Sequence, residues 1–224
     1  LSCSSGTSAI HLALHSLNVK KGDNFIIPSI NFIASANMLT VMGANVYLSD
    51  VDESGQMTPE LLEECIKKNK IKRLKGFFTM YLGGVAKNVY EFYKIKKKYK
   101  CYLIEDACHA FGSIYFYKNK KYKIGSCLHS DICIFSFHAI KTITSGEGGL
   151  LTTNKKIYYN QAKYFRSHGI KRKSIWDYDI KKLGFNYRLS DINASLACSQ
   201  SVSYTHLRAH ETGRNLGFRG VSEK

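Results

Sequence analysis

The fold can be inferred from the segment Ile132-Cys133-Ile134-Phe135-Ser136-Phe137-His138-Ala139-Ile140-Lys141 and the small-residue loop that follows it. Its first four residues are apolar and uncharged, which predicts a buried strand. Lys141 comes one short turn after the expected end of that strand, and a second apolar run begins at Leu150. An ammonium between two buried strands is costly, and burial would favour the neutral amine, which can attack a carbonyl carbon. The alternative is a surface lysine on a loop, because lysines are abundant in this sequence.

The sequence before this segment alternates between helical and strand-like patterns. Helical periodicity is present at residues 7–17, 32–42, 58–68 and 89–99, and apolar runs typical of strands at 23–28, 44–51, 76–81 and 101–105. This alternation predicts an α/β fold with a mostly parallel sheet covered by helices on both faces. Ligands of such sheets bind beyond the carboxyl ends of the strands. We therefore expect one rim to carry Asn31, Phe32, Asp106, Ser136 and Lys141.

Two adjacent carboxylates, Glu105 and Asp106, end the predicted strand at residues 101–105. Because side chains alternate along a strand, one carboxylate should face inward and the other outward. A buried carboxylate needs a cationic partner. Two partners satisfy this need: Lys141 in a plain ion pair, or the protonated pyridine nitrogen of pyridoxal phosphate (PLP).

The start of the first predicted helix offers a place for a phosphate group. Gly6 permits close backbone approach, and Thr7 or Ser8 would cap the helix. Free N–H groups and hydroxyls at a helix start bind phosphate, although an ordinary capped helix has the same sequence. With Ser136 as a further phosphate contact and Phe32 against a ring, the sequence meets four needs of a PLP site. These are a lysine for the covalent link, an acid for the ring nitrogen, a phosphate cradle and a flat contact.

Composition excludes several other classes of protein. The 224 residues are 44% hydrophobic, which suits one domain with a sizeable core. The formal charge of +16 comes from lysines mixed with apolar residues, a pattern typical of solvated faces, and no nucleic-acid or metal-binding motif accompanies it. Seven scattered cysteines without a CxxC pair indicate buried thiols of a reducing cytoplasm. No apolar stretch approaches the roughly 18 residues of a membrane span, and no signal peptide is seen.

At four motifs the sequence resembles the DegT/DnrJ/EryC1/StrS family of PLP-dependent sugar aminotransferases, which have the type I, aspartate aminotransferase-like fold. The motifs lie at residues 5–9, 28–36, 105–110 and 136–149. The resemblance implies that Lys141 is the cofactor-linked lysine and that Asp106 is the partner of the pyridine nitrogen. It also implies a set of further cofactor contacts: Gly6, Thr7, Ser8, Phe32, His109 and Ser136. For His109 the alternative is a structural histidine at a helix start.

Residues 166–170, 175–177 and 183–191 are similar to one branch of that family. This branch uses L-glutamate to aminate C4 of a UDP-4-keto-6-deoxy-N-acetylhexosamine, on the way to pseudaminic acid, a sugar that decorates flagella. The likeness implies that Asn186 reaches the cofactor phosphate of a neighbouring subunit, so the active form should be a homodimer. It makes Arg166, His168 and Arg188 candidates for binding the UDP diphosphate.

The sequence departs from the family at both ends. We expect residues 1–200 to form the PLP-binding large domain without its N-terminal segment, and the small C-terminal domain to be missing. Residues 201–224 have poor apolar periodicity and are expected to be foreign to the fold and disordered or loosely packed. The chain can therefore carry the site residues and still be inactive by itself. Two other functions stay open: a PLP-dependent sugar dehydratase, in which a histidine replaces the lysine that Lys141 provides here, and a non-catalytic basic domain that binds anionic partners.

Overall fold

The computed structural model of the chain describes residues 1–172, 174, 176–180 and 182–215. The helices, in chain order, are α1 Gly6–Ser16, α2 Ala34–Val41, α3 Pro59–Lys68, α4 Val89–Tyr99, α5 Lys156–Arg166 and α6 Asp191–Asn215. The strands are β1 Ser2–Cys3, β2 Asn24–Pro28, β3 Asn45–Ser49, β4 Leu74–Met80, β5 Tyr102–Asp106, β6 Ile114–Tyr117, β7 Lys120–Lys123, β8 Ile132–Ser136, β9 Gly149–Thr152, β10 Ile170–Arg172 and β11 Tyr178–Ile180. In this part of the chain no helix is both long enough and apolar enough to cross a membrane.

Seven of these strands form one sheet in the order β1-β9-β8-β5-β4-β2-β3. In this order, the five strands from β3 to β8 are parallel. At the other edge, β9 pairs antiparallel with β8, and β1 pairs antiparallel with β9. The predicted α/β fold with a mostly parallel sheet is confirmed, and the predicted strands and helices of the first 105 residues lie within a few residues of those observed. One difference that bears on the site is at α2, which begins at Ala34, so that Asn31 and Phe32 remain in the loop after β2.

Helices cover both faces of the sheet because successive strand residues point to opposite sides. On one face, Phe25, Phe78 and Ile104 pack under α1, α2 and α5. On the other face, Phe77 and Leu103 pack under α3 and α4. Helix α1 is buried over nearly its whole length, whereas α3 buries one stripe, at Leu62, Cys65 and Ile66. The sheet is therefore the middle layer of three, and its strand ends are left open for a site.

A buried carboxylate joins the sheet to both helical layers. Asp131, at 1% exposure, accepts the main-chain N–H of Leu103 at 3.0 Å. Its two oxygens also bind the ammonium groups of Lys96 on α4 at 2.8 Å and Lys155 before α5 at 3.1 Å. The charge of Asp131 is thus fully compensated at the end of the sheet opposite the strand carboxyl termini.

The end of the described chain differs from expectation. Helix α6 continues past residue 200 to Asn215, so the backbone of residues 201–215 is helical rather than disordered. Tyr204 donates its hydroxyl to the carbonyl oxygen of Phe111 at 3.3 Å, and the two rings are 6.2 Å apart. Residues 216–224 of the expected foreign segment, and Ile175 of the branch motif, lie outside the described residues. The domain boundary at residue 200 stays a prediction.

Candidate active site

A cavity of about 300 Å³ lies at the carboxyl ends of the parallel strands. Its lining includes seven of the nine predicted cofactor-binding residues: Gly6, Thr7, Phe32, Asp106, His109, Ser136 and Lys141. They come from five separate stretches of sequence and meet because β5, β8 and the first turn of α1 reach the same rim. The prediction that one rim carries Asn31, Phe32, Asp106, Ser136 and Lys141 is confirmed.

The first turn of α1 forms one wall of this cavity. Ser5 is the N-cap, and a reciprocal pair of hydrogen bonds links Ser5 to Ser8 in a capping box. The main-chain N–H groups of Gly6 and Thr7 precede the first intrahelical donor and have no acceptor in the described part of the chain. A Cβ added to Gly6 would lie 3.0 Å from Cβ of Ser136, so only glycine lets the helix start approach the end of β8 this closely. The arrangement is an anion cradle.

Ser8 is placed differently from the prediction. Its side chain is 4% exposed and does not line the cavity. Its hydroxyl accepts the Ser5 N–H at 2.9 Å and donates to the Ser5 carbonyl at 2.8 Å. Ser8 therefore shapes the cradle by capping α1, while the hydroxyl of Thr7 lies at the cavity.

Asp106 ends β5 with its carboxylate at the cavity and only 4% exposed. It accepts the main-chain N–H of Cys108 at 3.1 Å and makes no ion pair within the described residues. Burial raises the pKa of the Asp106 carboxyl, while hydrogen bonding from Cys108 and the electrostatic influence of His109 and Lys141 act in the opposite direction. Asp106 is thus a buried carboxyl group that has no ion-pair partner among the described residues and could take a cationic one.

The expectation that one of the two carboxylates, Glu105 or Asp106, faces outward is wrong. Glu105 is 3% exposed, because the opposite face of β5 is also covered. Its carboxylate accepts the hydroxyl of Tyr81 at 2.7 Å and that of Ser130 at 2.8 Å. Desolvation raises the pKa of Glu105, and these hydroxyl donors oppose that rise. The pleat separates the two carboxylates as predicted, but both are buried.

Lys141 lies in the loop between β8 and β9, and its main-chain N–H donates to the His138 carbonyl at 2.9 Å. The loop is closed at its base, where the Phe137 N–H donates to the Gly148 carbonyl at 2.8 Å. The side chain of Lys141 is half-buried at the cavity rather than buried between strands as expected. Lys141 thus lies on a closed loop and lines the same cavity as Asp106.

Three further polar residues lie at the cavity mouth: Asn31, which was expected at this rim, and His138 and Glu147, which were missed. Asn31 is held by its own side chain, whose Oδ1 accepts the Phe32 N–H at 2.7 Å and whose Nδ2 donates to Ser35 Oγ at 3.1 Å. Nε2 of His138 lies 3.7 Å from a carboxylate oxygen of Glu147 across the loop. His138 and Glu147 flank Lys141 in sequence, so their polarity within an otherwise small-residue loop was the available signal.

The four remaining predicted residues do not line this cavity. His168 and Arg188 line a second, more open cavity of about 880 Å³, together with Lys163 and Lys171. Nη1 of Arg166 donates to the Ser2 carbonyl at 2.8 Å and lies outside both cavities. Asn186 is exposed, and its backbone forms an isolated antiparallel bridge with Ser167.

The fold and the cavity together define the large domain of a type I PLP-dependent transferase. More narrowly, the chain belongs to the DegT/DnrJ/EryC1/StrS aminotransferase family, whose sequence model matches residues 1–213. It is 38% identical over 202 residues to the UDP-4-amino-4,6-dideoxy-N-acetyl-beta-L-altrosamine transaminase of Campylobacter jejuni subsp. jejuni serotype O:23/36 (strain 81-176). That match covers 90% of this chain and 52% of the relative.

Solved structures agree with this assignment. Helicobacter pylori PseC, described as an aminotransferase involved in the biosynthesis of pseudoaminic acid, superposes with a TM-score of 0.79 at 32% identity, over 89% of this chain and 52% of that one. The PLP form of the putative sugar aminotransferase Spr1654 from Streptococcus pneumoniae gives 0.80 at 27% identity, over 92% and 55%. The chain thus spans about half the length of the relatives it matches.

Proposed function

We propose that this chain is the cofactor-binding part of a sugar-nucleotide aminotransferase. In the proposed reaction an amino group passes from L-glutamate to C4 of a UDP-4-keto-6-deoxy-N-acetylhexosamine, for pseudaminic acid or a related surface sugar. The observation that carries the proposal is the cavity in which Lys141, Asp106 and the first turn of α1 meet. The names of the relatives support the substrate class.

The residues at this cavity fit PLP on structural grounds. The α1 cradle, with two unpaired N–H groups and the Gly6 approach to Ser136, suits a phosphate. Asp106, buried and without an ion pair among the described residues, suits a protonated ring nitrogen. Bound PLP supplies an electron sink and a carrier for the amino group.

The protein residues then have distinct tasks. Lys141 would hold the cofactor through Nζ and, once released, move a proton to and from the reacting carbon as general base and acid. Asp106 would keep the ring nitrogen protonated throughout. Phe32, on the loop before α2 and 74% exposed in this chain, would cover one side of the ring and help exclude water. His109 lies beside them, and burial lowers the pKa of its imidazole, so it stays neutral near pH 7.

Two further parts of the proposal concern residues outside the cavity. The second cavity holds Lys163, His168, Lys171 and Arg188, a basic set that suits the diphosphate of the nucleotide. Asn186 is exposed and away from its own cavity, as expected of a residue that reaches the cofactor phosphate of a second subunit. We therefore propose a homodimer with shared sites. All seven cysteines are free, which suits the reducing cytoplasm as the compartment.

An absorbance titration tests the proposal. The purified chain is mixed with PLP, and the spectrum is followed before and after L-glutamate. A Schiff-base band is expected on mixing, and L-glutamate should convert it to the pyridoxamine spectrum. Lys141→Ala should abolish the band, whereas Lys67→Ala, a matched change at an exposed lysine of α3, should leave it intact.

The outcomes separate the alternatives. A band that forms with the wild type and is lost only in Lys141→Ala rules out a non-catalytic basic domain. A Schiff-base band that does not change when L-glutamate is added means that donor binding requires parts of the family fold beyond this chain. Absence of any band refutes the assignment of a PLP site to this chain. Amination of the UDP-4-keto sugar, rather than its dehydration, then decides for the aminotransferase over the dehydratase.

A further inference from the structure

A partly buried cluster of aromatic rings, three of them titratable, lies outside both cavities and takes no part in the chemistry above. We call it the histidine–tyrosine cluster; its members are His11, His15, Phe165, Phe185 and Tyr187. The His15 ring stacks on Phe165 with centroids 4.4 Å apart, and Phe185 stacks on Tyr187 at 4.9 Å with an interplanar angle of 9°. The His11 ring packs against both of the latter rings.

Hydrogen bonds run through the cluster in one chain. Nδ1 of His11 lies 3.1 Å from the Tyr187 hydroxyl, and its Nε2 lies 3.2 Å from Nε2 of His15. With both histidines neutral, each contact holds one proton: Tyr187 donates to His11, and His11 donates to His15, or both bonds run the other way. A single added proton is accommodated, because the charged ring then donates on each side. Two added protons place N–H against N–H between the histidines, and that bond is lost.

The cluster holds the segment that carries Asn186. The Phe185 N–H donates to the Phe165 carbonyl at 2.7 Å, and the Tyr187 N–H donates to the Arg166 carbonyl at 3.0 Å. These bonds fix the backbone on both sides of Asn186, whose side chain points into solvent. Main-chain bonds hold the backbone of the segment. Its two aromatic rings pack against the histidines of the cluster, and Tyr187 also packs against the hydrophobic core on this face of the sheet.

We propose that the His11–His15–Tyr187 hydrogen-bond chain is a positioning device that fixes residues 185–188 and so sets where Asn186 is presented to a second subunit. The proposal rests on the proposed function for the role of Asn186. Helix α1 is the physical link: its first turn is the phosphate cradle, and His11 and His15 lie on the same helix one and two turns further on. One rigid element therefore sets the cradle of its own subunit and the residue offered to the neighbour.

The device depends on pH in a defined direction. The titratable groups within the cluster are the two histidines of α1 and the Tyr187 hydroxyl of the 185–187 segment. The group from α5 is the uncharged Phe165 ring, with the Lys182 ammonium 5.9 Å from that ring. Burial lowers the pKa of both histidines, that of His15 to about 4 with the charge of His11 as the second cause. The chain is thus intact at neutral pH and breaks as the second proton binds in acid.

The test compares Tyr187→Phe with Tyr47→Phe, a matched change at a tyrosine of the edge strand β3. Tyr187→Phe keeps the stacked ring and removes only the hydroxyl. Hydrogen exchange of the peptide covering residues 183–189 should rise about tenfold in Tyr187→Phe, with or without PLP, and stay unchanged in Tyr47→Phe. In the wild type, exchange corrected for its intrinsic rate should rise as the pH is lowered from 6.5 towards 4, and Tyr187→Phe should lack this rise.

A double-mutant cycle tests whether the cluster acts through Asn186. PLP affinity should fall several-fold in Tyr187→Phe and in Asn186→Ala, and adding Tyr187→Phe to Asn186→Ala should cause no further loss. Unchanged exchange in Tyr187→Phe, a retained acid rise in that variant, or additive losses in the cycle would each overturn the proposal. Failure of the wild type to bind PLP counts against the proposed function, and the exchange measurements still decide the positioning role.

Discussion

Replacing Tyr81 by phenylalanine would test the buried acid behind the site. Tyr81 is 1% exposed and directly follows β4, and its hydroxyl donates to Glu105 at 2.7 Å. The Tyr81 N–H also donates to the carbonyl of Asp106 at 3.3 Å. The substitution keeps the ring, the packing and this main-chain bond. It removes one of the two hydroxyls that compensate a carboxylate with almost no access to water.

The expected loss follows from the charge state of Glu105. A hydrogen bond to an ionised group contributes about 1.5–3 kcal/mol, and a neutral one about 1 kcal/mol. Desolvation raises the pKa of Glu105 in the folded protein above its unfolded value, so its ionisation costs stability as the pH rises through the folded pKa. The Tyr81 hydroxyl opposes this rise, and its removal increases it. The variant should therefore lose about 2–3 kcal/mol at pH 8 but only about 1 kcal/mol at pH 5, where Glu105 can take up a proton.

Urea unfolding at the two pH values measures these losses, with Tyr47→Phe as the control for removing a tyrosine hydroxyl elsewhere. In a Glu105→Gln background, the loss caused by Tyr81→Phe should be nearly the same at both pH values, because the group that titrates is gone. A loss in Tyr81→Phe below about 0.5 kcal/mol at both pH values, or a loss that is larger at pH 5, would show that the reasoning about the buried charge is wrong.

Three further predictions concern other parts of the molecule. Gly6→Ala places a Cβ 3.0 Å from Cβ of Ser136, so PLP affinity in an absorbance titration should fall about tenfold, with a stability cost of about 1–3 kcal/mol; unchanged affinity would contradict the cradle. Asp131→Asn removes a charge that is 1% exposed and shared by two ammonium groups, and should cost about 3–5 kcal/mol in urea unfolding; a loss under about 1 kcal/mol would contradict its role. Because the pKa of His15 is lowered to about 4, the free energy of unfolding should fall as the pH drops from 6.5 towards 4, by about 1–2 kcal/mol after discounting for the partial exposure of His15. His15→Gln should reduce this dependence on pH. An equal dependence in both proteins would refute the role of His15.

The sheet was largely predictable because its strands are short apolar runs between amphipathic helices. A parallel strand buried on both faces has an apolar sequence whichever strands are its neighbours in the sheet. Strand order and the antiparallel edge formed by β9 and β1 were not predictable, since Ser2–Cys3 is too short to carry a pattern. The full extent of α6 was missed because its apolar periodicity is weak. Among its later residues, Tyr204 contacts Phe111.

The candidate site was predictable where the chemistry leaves unusual residues at strand ends. Lys141, Asp106 and Gly6 stand out because each is costly or unfavourable unless a ligand or a close contact requires it. Distances between stretches of sequence were not available to the same reasoning. For this reason Ser8 was assigned to the phosphate although its hydroxyl pairs with Ser5 in the capping box, and one of the two carboxylates, Glu105 or Asp106, was expected to face outward although both are buried.

The position of α1 beside late-synthesised strands has a consequence for how the protein forms. Strands β2 to β5 are neighbours in the sheet and come from residues 24–106, so they can pair as soon as that stretch is complete. Helix α1 precedes them all, yet it packs on β8, β9 and α5, and β1 pairs with β9 about 150 residues away. Contacts this distant in sequence close slowly and only after the rest of the chain is available. The phosphate cradle and the lysine loop should therefore meet last, and the capacity to bind PLP should appear in one late step of folding.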